Sequence, residues 1–309
     1  MASVWLLGGG VVGRRVNRFL APLQPTFLDP RQPSLNDVRP GDVALVASGG
    51  SHAIVAAELL HRQVSVVTAG DNLHDCRDLL ELETVALSAG VPLVVGAAMS
   101  PGLSGLMVRS MVSALTACSE IHIAFHGTAG PSCARTYHRS LSGQSVFWHE
   151  GKMRSAPGGS GRELLWFPEP VGPRDCYLAE IASPLLLHRS VPEADRITVR
   201  RSARRRDRVT ARLPMMRSPH SEGGLGALRV EVRGTDEAGR RRSLIQGVAE
   251  QVGTASAAVA AAFIETLLGG ELPPGVTLAG DENVAKLRVL DRVRQRGVRL
   301  QEYCGSPTG

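Results

Sequence analysis

Gly8, Gly10 and Gly13 stand in the spacing GxGxxG directly after the apolar run Val4-Trp5-Leu6-Leu7, and Asp29 follows about twenty residues on. Those residue types in that order suit a dinucleotide. Gly8 permits a tight turn, Gly10 lets the backbone approach a diphosphate, and Gly13 lets the following helix pack closely on the strand. The free N–H groups at the start of that helix, around Val11 and Val12, then face the phosphates, where the helix dipole favours negative charge. Asp29 ends a second apolar segment, Pro25-Thr26-Phe27-Leu28, where an acid meets the adenosine ribose. A structural glycine turn and a capping aspartate explain the same residues separately. Strand, glycines, helix and acid in one register favour the nucleotide. Arg31 is placed to pair with a 2′-phosphate, which turns the expected cofactor toward NADP, with NAD as the alternative. Ser48, Gly49 and Ser51 follow the strand Val43–Ala47, and ligands of such sheets bind beyond the carboxyl ends of strands, so these residues are expected along the cofactor's edge. Helix capping by Ser51 is compatible with that role.

A nicotinamide cofactor carries the hydride, so the chain must orient it and supply a proton donor or a carbonyl polariser. His126 stands at a strand end in the glycine-bracketed loop Phe125-His126-Gly127-Thr128-Ala129-Gly130, and Tyr137 and His138 lie just beyond on an expected helix. Arg135, on the same helix, suits a two-point contact with a substrate carboxylate. Each has a plain structural alternative: a turn-capping histidine, a half-buried tyrosine, a surface arginine. Arg174-Asp175-Cys176-Tyr177 reads sooner as a turn with a buried cysteine than as an acid and phenol. His220 lies in a glycine-rich segment that is either a lid or a mobile loop, and His52 either touches cofactor or merely starts a helix.

Other chemistries find no support. The hydrolase pattern Gly-x-Ser-x-Gly and the phosphate loop ending Gly-Lys-Ser/Thr are both missing. Cys76, Cys118, Cys133, Cys176 and Cys304 are scattered, without CxxC or Cys/His spacing, so neither a metal site nor a disulfide framework is expected.

The elements that must position these groups fall into two grammars. Up to about residue 117, apolar strands alternate with helical patterns: Val4–Leu7, Thr26–Leu28, Val43–Ala47, Val64–Thr68 and Leu93–Val95, with helices after each Gly- or Ser-rich turn. That alternation predicts a parallel sheet covered by helices. From Cys118 the strands lengthen and few helices interrupt them, with a hairpin between Arg229–Arg233 and Ser243–Val248. An alanine-rich helix over Thr254–Leu268 and an amphipathic one over Val284–Arg296 close the chain. The expected class is α/β: an N-terminal Rossmann domain, 1–117, completed by C-terminal helices in 253–309, and an inserted α+β domain, 118–252, on a mixed or antiparallel sheet.

An apolar content of 43% over 309 residues supports a real core, and with aromatics at only 4% that core must rest on Leu, Val and Ala. The net charge of +6 comes almost wholly from arginine, since Lys152 and Lys286 are the only lysines. No nucleic-acid-binding motif accompanies it, so the cluster Arg200-Arg201-Ser202-Ala203-Arg204-Arg205-Arg206 is expected to be a solvated loop, and nucleic acid is not an expected partner. No apolar run reaches membrane-spanning length and Met1-Ala2-Ser3 leads straight into the first strand, so a cytoplasmic protein without membrane contact is expected.

Several segments together resemble the saccharopine dehydrogenase-like family of NAD(P)-dependent oxidoreductases. They are Gly8–Gly13, the strand end and helix start from Gly96 through Pro101-Gly102-Leu103-Ser104, and Arg229-Val230-Glu231-Val232-Arg233-Gly234 with its hairpin. Thr254-Ala255, Leu268-Gly269-Gly270, Pro274-Gly275-Val276 and Arg296-Gly297-Val298 complete the set. The resemblance implies a Rossmann domain, an inserted domain whose sheet holds a small-molecule substrate and often a homodimer contact, and Met99–Leu103 close to the nicotinamide, with Met99 beside the substrate. Asp71 stands where relatives place a Tyr-Val-Asp segment, in different surroundings. The stretch from His122 to Pro219 matches no family motif, so the resemblance does not identify the substrate. The function implied is hydride transfer to or from a C=N or C=O bond of a small, carboxylate-bearing substrate. A Rossmann protein that binds dinucleotide without turnover, as a sensor or assembly partner, is the alternative.

Overall fold

Runs such as Val4-Trp5-Leu6-Leu7 and Val43-Ala44-Leu45-Val46 are apolar on both faces, and a strand of that kind is stable only when covered on both sides. In the computed structural model, which describes residues 2–29, 35–215 and 218–303, these runs form the centre of a parallel sheet. Its first five strands are β1 (Val4–Leu7), β2 (Thr26–Leu28), β3 (Val43–Val46), β4 (Ser65–Thr68) and β5 (Pro92–Val95). Helices α1 (Val11–Phe19), α2 (His52–His61), α3 (Leu73–Leu80), α4 (Glu83–Ala89) and α5 (Ser104–Val112) connect and follow them, with a wide turn at Met99–Leu103 ahead of α5. β1 is flanked by β2 on one side and β3 on the other. The chain therefore winds both ways from β1, and a crevice opens beyond the carboxyl ends of β1 and β3.

The second sheet is built mostly from longer strands, and its central ones alternate along the inner face. It comprises β6 (Ala117–His126), β7 (Gln144–His149), β8 (Lys152–Pro157), β9 (Glu163–Trp166), β10 (Pro173–Leu178), β11 (Arg196–Ser202), β12 (Leu225–Thr235) and β13 (Arg241–Gln251). β6 and β11 run parallel at its centre, and the remaining pairings are antiparallel. Ile121, Ile123, Phe125, Ile197, Val199, Leu228, Val230 and Val232 point inward and are buried, as a period of two requires. α6 (Pro131–Ser140), α7 (Ser183–Ser190) and α8 (Arg205–Val209) are the helices of this part.

α9 (Val252–Leu268) then runs back against α1, β3 and β4. It is buried on nearly every side, which small alanine side chains make possible between two packed layers. Gly253 marks the closest approach: a Cβ there would lie 2.6 Å from Val11. β14 (Gly275–Leu278) completes the first sheet beside β5, in the order β14-β5-β4-β3-β1-β2. α10 (Glu282–Ala285), α11 (Val289–Gln295) and β15 (Gln301–Glu302) follow. β15 pairs with β13, so this last strand joins the second sheet.

Other differences have local causes. The single helix expected over 284–296 is two, because Arg288 adopts φ +54° and breaks the run. Arg174–Tyr177 is strand and not turn, with Cys176 and Tyr177 buried on opposite faces of β10. The arginine cluster is not a solvated loop throughout. Its first members end β11, and strand alternation carries Arg201 inward behind Ile197 and Val199. Among the described residues, no helix is long and apolar enough to cross a membrane.

Candidate active site between the two sheets

A deep cleft lies between the carboxyl edge of the first sheet and the inner end of the second. Gly10, Val11 and Val12 form one rim, the turn Ala47–Gly50 the next, then Ala69–Asn72 and Ala98–Ser100. Phe125, the start of α6, Val252 and Ser256 form the opposite wall.

The rim fits a dinucleotide. Gly8 sits at φ +135°, and a Cβ there would come within 2.6 Å of the Ala47 carbonyl oxygen. Gly13 packs so tightly that a Cβ would lie 1.9 Å from the Gly8 oxygen. Gly9 and Gly10 face open space instead, and no side chain caps the N-terminus of α1. The unsatisfied N–H groups at this helix start are the donors a diphosphate requires. Asp29 is exposed just beyond β2, and Arg31 lies outside the described residues. Ser48 and Gly49 line the cleft. Ser51 is exposed and donates to Asp75 Oδ1 at 2.9 Å; the same oxygen accepts the His52 and Ala53 N–H groups. His52 is buried, its Nε2 at 2.9 Å from the Ser48 carbonyl oxygen, so its ring braces the Ala47–Gly50 turn. Beside α1, Glu222 of the glycine-rich segment pairs with Arg14 at 2.6 Å and approaches Arg15 at 3.8 Å.

On the opposite side of the cleft the candidates separate. Tyr137 lines the cleft, packs against Phe125 with ring centroids 5.1 Å apart, and donates to Asp71 Oδ2 at 3.5 Å. Met99 is buried in the cleft wall, its N–H held by Ser256 Oγ at 3.0 Å. His138 faces away, with Nε2 at 2.9 Å and 3.2 Å from the Thr210 and Leu213 carbonyl oxygens, where it pins the segment after α8. Arg135 is exposed on α6 and takes no part in the cleft, because that helix turns Ser132, Cys133, Thr136 and Tyr137 toward it. His126 borders the cleft where β6 ends, but alternation sends its ring to the other face of the sheet. There Nδ1 meets Ser202 Oγ at 2.7 Å and the ring lies beside Phe167.

Burial first, and then Arg174, Arg201 and Arg204, push the His126 imidazole down to about 4. An unfolded histidine titrates near 6.5. The stability this ring contributes is therefore complete above that value and lost as pH falls toward about 4. In denaturant melts from pH 7 to pH 4, His126→Asn gives a flatter loss of stability than the parent. A parallel profile rules the explanation out.

Asp71 is the group that the sequence places least clearly and the structure places most pointedly. Its Oδ1 accepts from the Ala182 and Ser183 N–H groups at 3.1 and 3.2 Å and from Ser183 Oγ at 3.0 Å, which caps the start of α7. Its second oxygen is left to Tyr137. Burial pushes the Asp71 carboxyl up to about 7, against the pull of Ser183, Ala182 and Tyr137. Burial also raises the Tyr137 phenol and the Cys133 thiol, so both stay protonated. The cleft thus holds one buried carboxyl that exchanges a proton near neutrality, the property required of a general acid or base. Among the described residues, no group of three or more His, Cys, Asp or Glu side chains could hold a metal.

No protein-family model matches the chain, and no curated protein matches it in sequence. Solved structures do match. The chain is similar to saccharopine dehydrogenase (L-Glu forming) from Saccharomyces cerevisiae at 14% identity and TM-score 0.67, over 98% of this chain and 99% of that one. It is similar to homospermidine synthase from Legionella pneumophila, solved in complex with NAD, at 12% identity and TM-score 0.69, over 99% of this chain and 92% of that one. At such identities the likeness is one of fold, and it extends over nearly the whole of each chain.

Proposed function

We propose that this chain is an NAD(P)-dependent oxidoreductase that transfers hydride to or from the carbon of a C=N or C=O bond. One observation carries the proposal. The buried Asp71 carboxyl, with Tyr137 at its free oxygen, opens into the same cleft as the uncapped, glycine-lined start of α1. The dinucleotide held by the Legionella relative of the same fold supports the reading.

Gly10, Val11 and Val12 would hold the diphosphate, Asp29 the ribose, and Ser48 and Gly49 the cofactor's edge. Bound NAD(P)H supplies the hydride. The protein supplies the proton: protonated Asp71 donates to the substrate nitrogen or oxygen as that atom gains charge, and the carboxylate takes a proton back in the reverse direction. Tyr137 steadies the carboxyl from one side while Ser183 and two backbone N–H groups fix it from the other. Phe125, Val252 and Met99 line the cleft with apolar surface that limits water around the reacting atoms. Arg135 stands outside this cleft, so a substrate carboxylate needs another holder.

Calorimetric titration of the full chain with NADPH and NADH tests the first half. Saturable binding of either supports the reading, and heat-silent titrations of both overturn it. Turnover is then followed by nicotinamide absorbance with 2-oxo acids, alone and with amines. With a substrate in hand, reduction slows as pH rises through about 7, where Asp71 loses its proton, and oxidation gains over the same interval. Nucleotide binding without turnover across the series favours the sensor or assembly role instead.

A further inference from the structure

We infer that Arg201 is the anchor for a substrate carboxylate at the second-sheet end of the cleft. The inference rests on the oxidoreductase reading and adds to it the residue that selects an acidic substrate.

Arg201 lies on the inner face of β11, in register with Phe125 on β6 and Tyr177 on β10. Phe125 lines the cleft, as do Cys133 and Tyr137 on α6. The Arg201 guanidinium sits over the Tyr137 ring, 4.6 Å from its centroid. It is therefore one side chain deep from the cleft wall. The residue is only 8% exposed, and its Nε is enclosed without a hydrogen-bond partner. Among the described residues, no carboxylate lies within ion-pair distance of it. Asp207 and Asp71 act on it only from farther away.

That arrangement is unusual within this molecule. Other sheltered arginines are engaged: Arg109 with the Gly280 and Ser190 carbonyl oxygens, Arg229 with Glu231, and Arg296 with Glu265. An arginine cannot shed its proton to escape burial, and a buried cation without an anion is costly to hold. The Tyr137 ring offsets part of that cost through its π face. Arg174 and Arg204 add positive charge at the same strand ends, since both act with Arg201 on His126. The ligand that completes such a site is a compact anion with two acceptor oxygens, which a guanidinium fork grips in a planar, two-point contact. On a substrate reduced at a neighbouring carbon, that anion is a carboxylate.

The test uses the full chain, first titrated with NADPH, then with pyruvate, 2-oxoglutarate and the neutral isostere pyruvamide. The readouts are dissociation constants and the ¹⁵N resonance of the Arg201 Nε–H, assigned by its absence in Arg201→Lys. The expected result is a shift of that resonance with the carboxylates and none with pyruvamide. A preference for pyruvate over pyruvamide of about tenfold is expected, the value of one charge-assisted hydrogen bond. Arg201→Met erases the preference and Arg201→Lys restores part of it, with NADPH affinity unchanged in both. Equal binding of pyruvate and pyruvamide, or no carboxylate binding, overturns the role of Arg201 while nucleotide binding leaves the oxidoreductase reading standing. Loss of NADPH binding in the parent overturns that reading separately. Should the variants not fold, the parent resonance decides alone: unmoved by every carboxylate, it sinks the inference.

Discussion

Asp71→Asn becomes more stable than the parent at pH 8 and nearly inactive. The carboxyl lies well above the ordinary aspartate value, at about 7, because burial disfavours its charge. The folded protein therefore binds this proton more tightly than the unfolded chain does. The stability this one group contributes is complete below about pH 4 and is lost as pH rises through about 7. A move from 3.8 to about 7 corresponds to a deficit of about 4 kcal/mol at alkaline pH. Asparagine carries no charge, and its carbonyl keeps the three donors at the start of α7. Denaturant melts at pH 8 should separate the two proteins by up to this amount and converge near pH 4. Turnover should fall by about 10²–10⁴-fold, the usual contribution of a positioned acid, with NADPH affinity unchanged. A variant that is both less stable at pH 8 and fully active contradicts the assignment on two independent counts.

Gly13→Val abolishes tight nucleotide binding by a different route. The first atom of any side chain at position 13 falls 1.9 Å from the Gly8 oxygen, so backbone must move. The displaced atoms are the turn and helix start that face the phosphates. Overpacking of this kind costs about 1–3 kcal/mol, which converts to a loss of about 5- to 150-fold in NADPH affinity when it falls on the bound state. Gly9→Ala is the control, because a Cβ at Gly9 meets nothing within 4 Å. Calorimetry on the two variants should show weak binding in the first and near-parental binding in the second. Equal affinities dissociate this turn from the nucleotide.

The first sheet was readable because its signals are local. Val4–Leu7, the glycines and Thr26–Leu28 follow one another in a single βαβ unit, and Val4–Leu7 is apolar throughout. The second sheet begins at β6, where longer strands with few intervening helices replace the earlier alternation of strand and helix. The site was harder, for reasons of geometry. His126 has the right residue type at a strand end, yet one step of alternation decides which face it serves, and that step depends on where β6 begins to pair. Arg135 and Tyr137 are two positions apart on α6, so only one of them can face the cleft. Arg201 was hidden by its neighbours. Amid arginines it resembled a solvated run, although Ile197-Thr198-Val199-Arg200-Arg201 already alternates and assigns it to the apolar face. Asp71 carried no local signal of its altered acidity, because its donors come from Ala182 and Ser183, more than a hundred residues away.

The ion pair between Arg14 and Glu222 joins α1 to the glycine-rich segment, and both side chains are about half exposed, at 46% and 53%. A contact of that kind contributes about 0–1 kcal/mol and is screened at physiological salt. At the α1 side the glycine-rich strap is thus held by a latch that thermal motion undoes readily, while backbone bonds from Gly224 to Thr128 and from Val252 to Gly224 hold its other end.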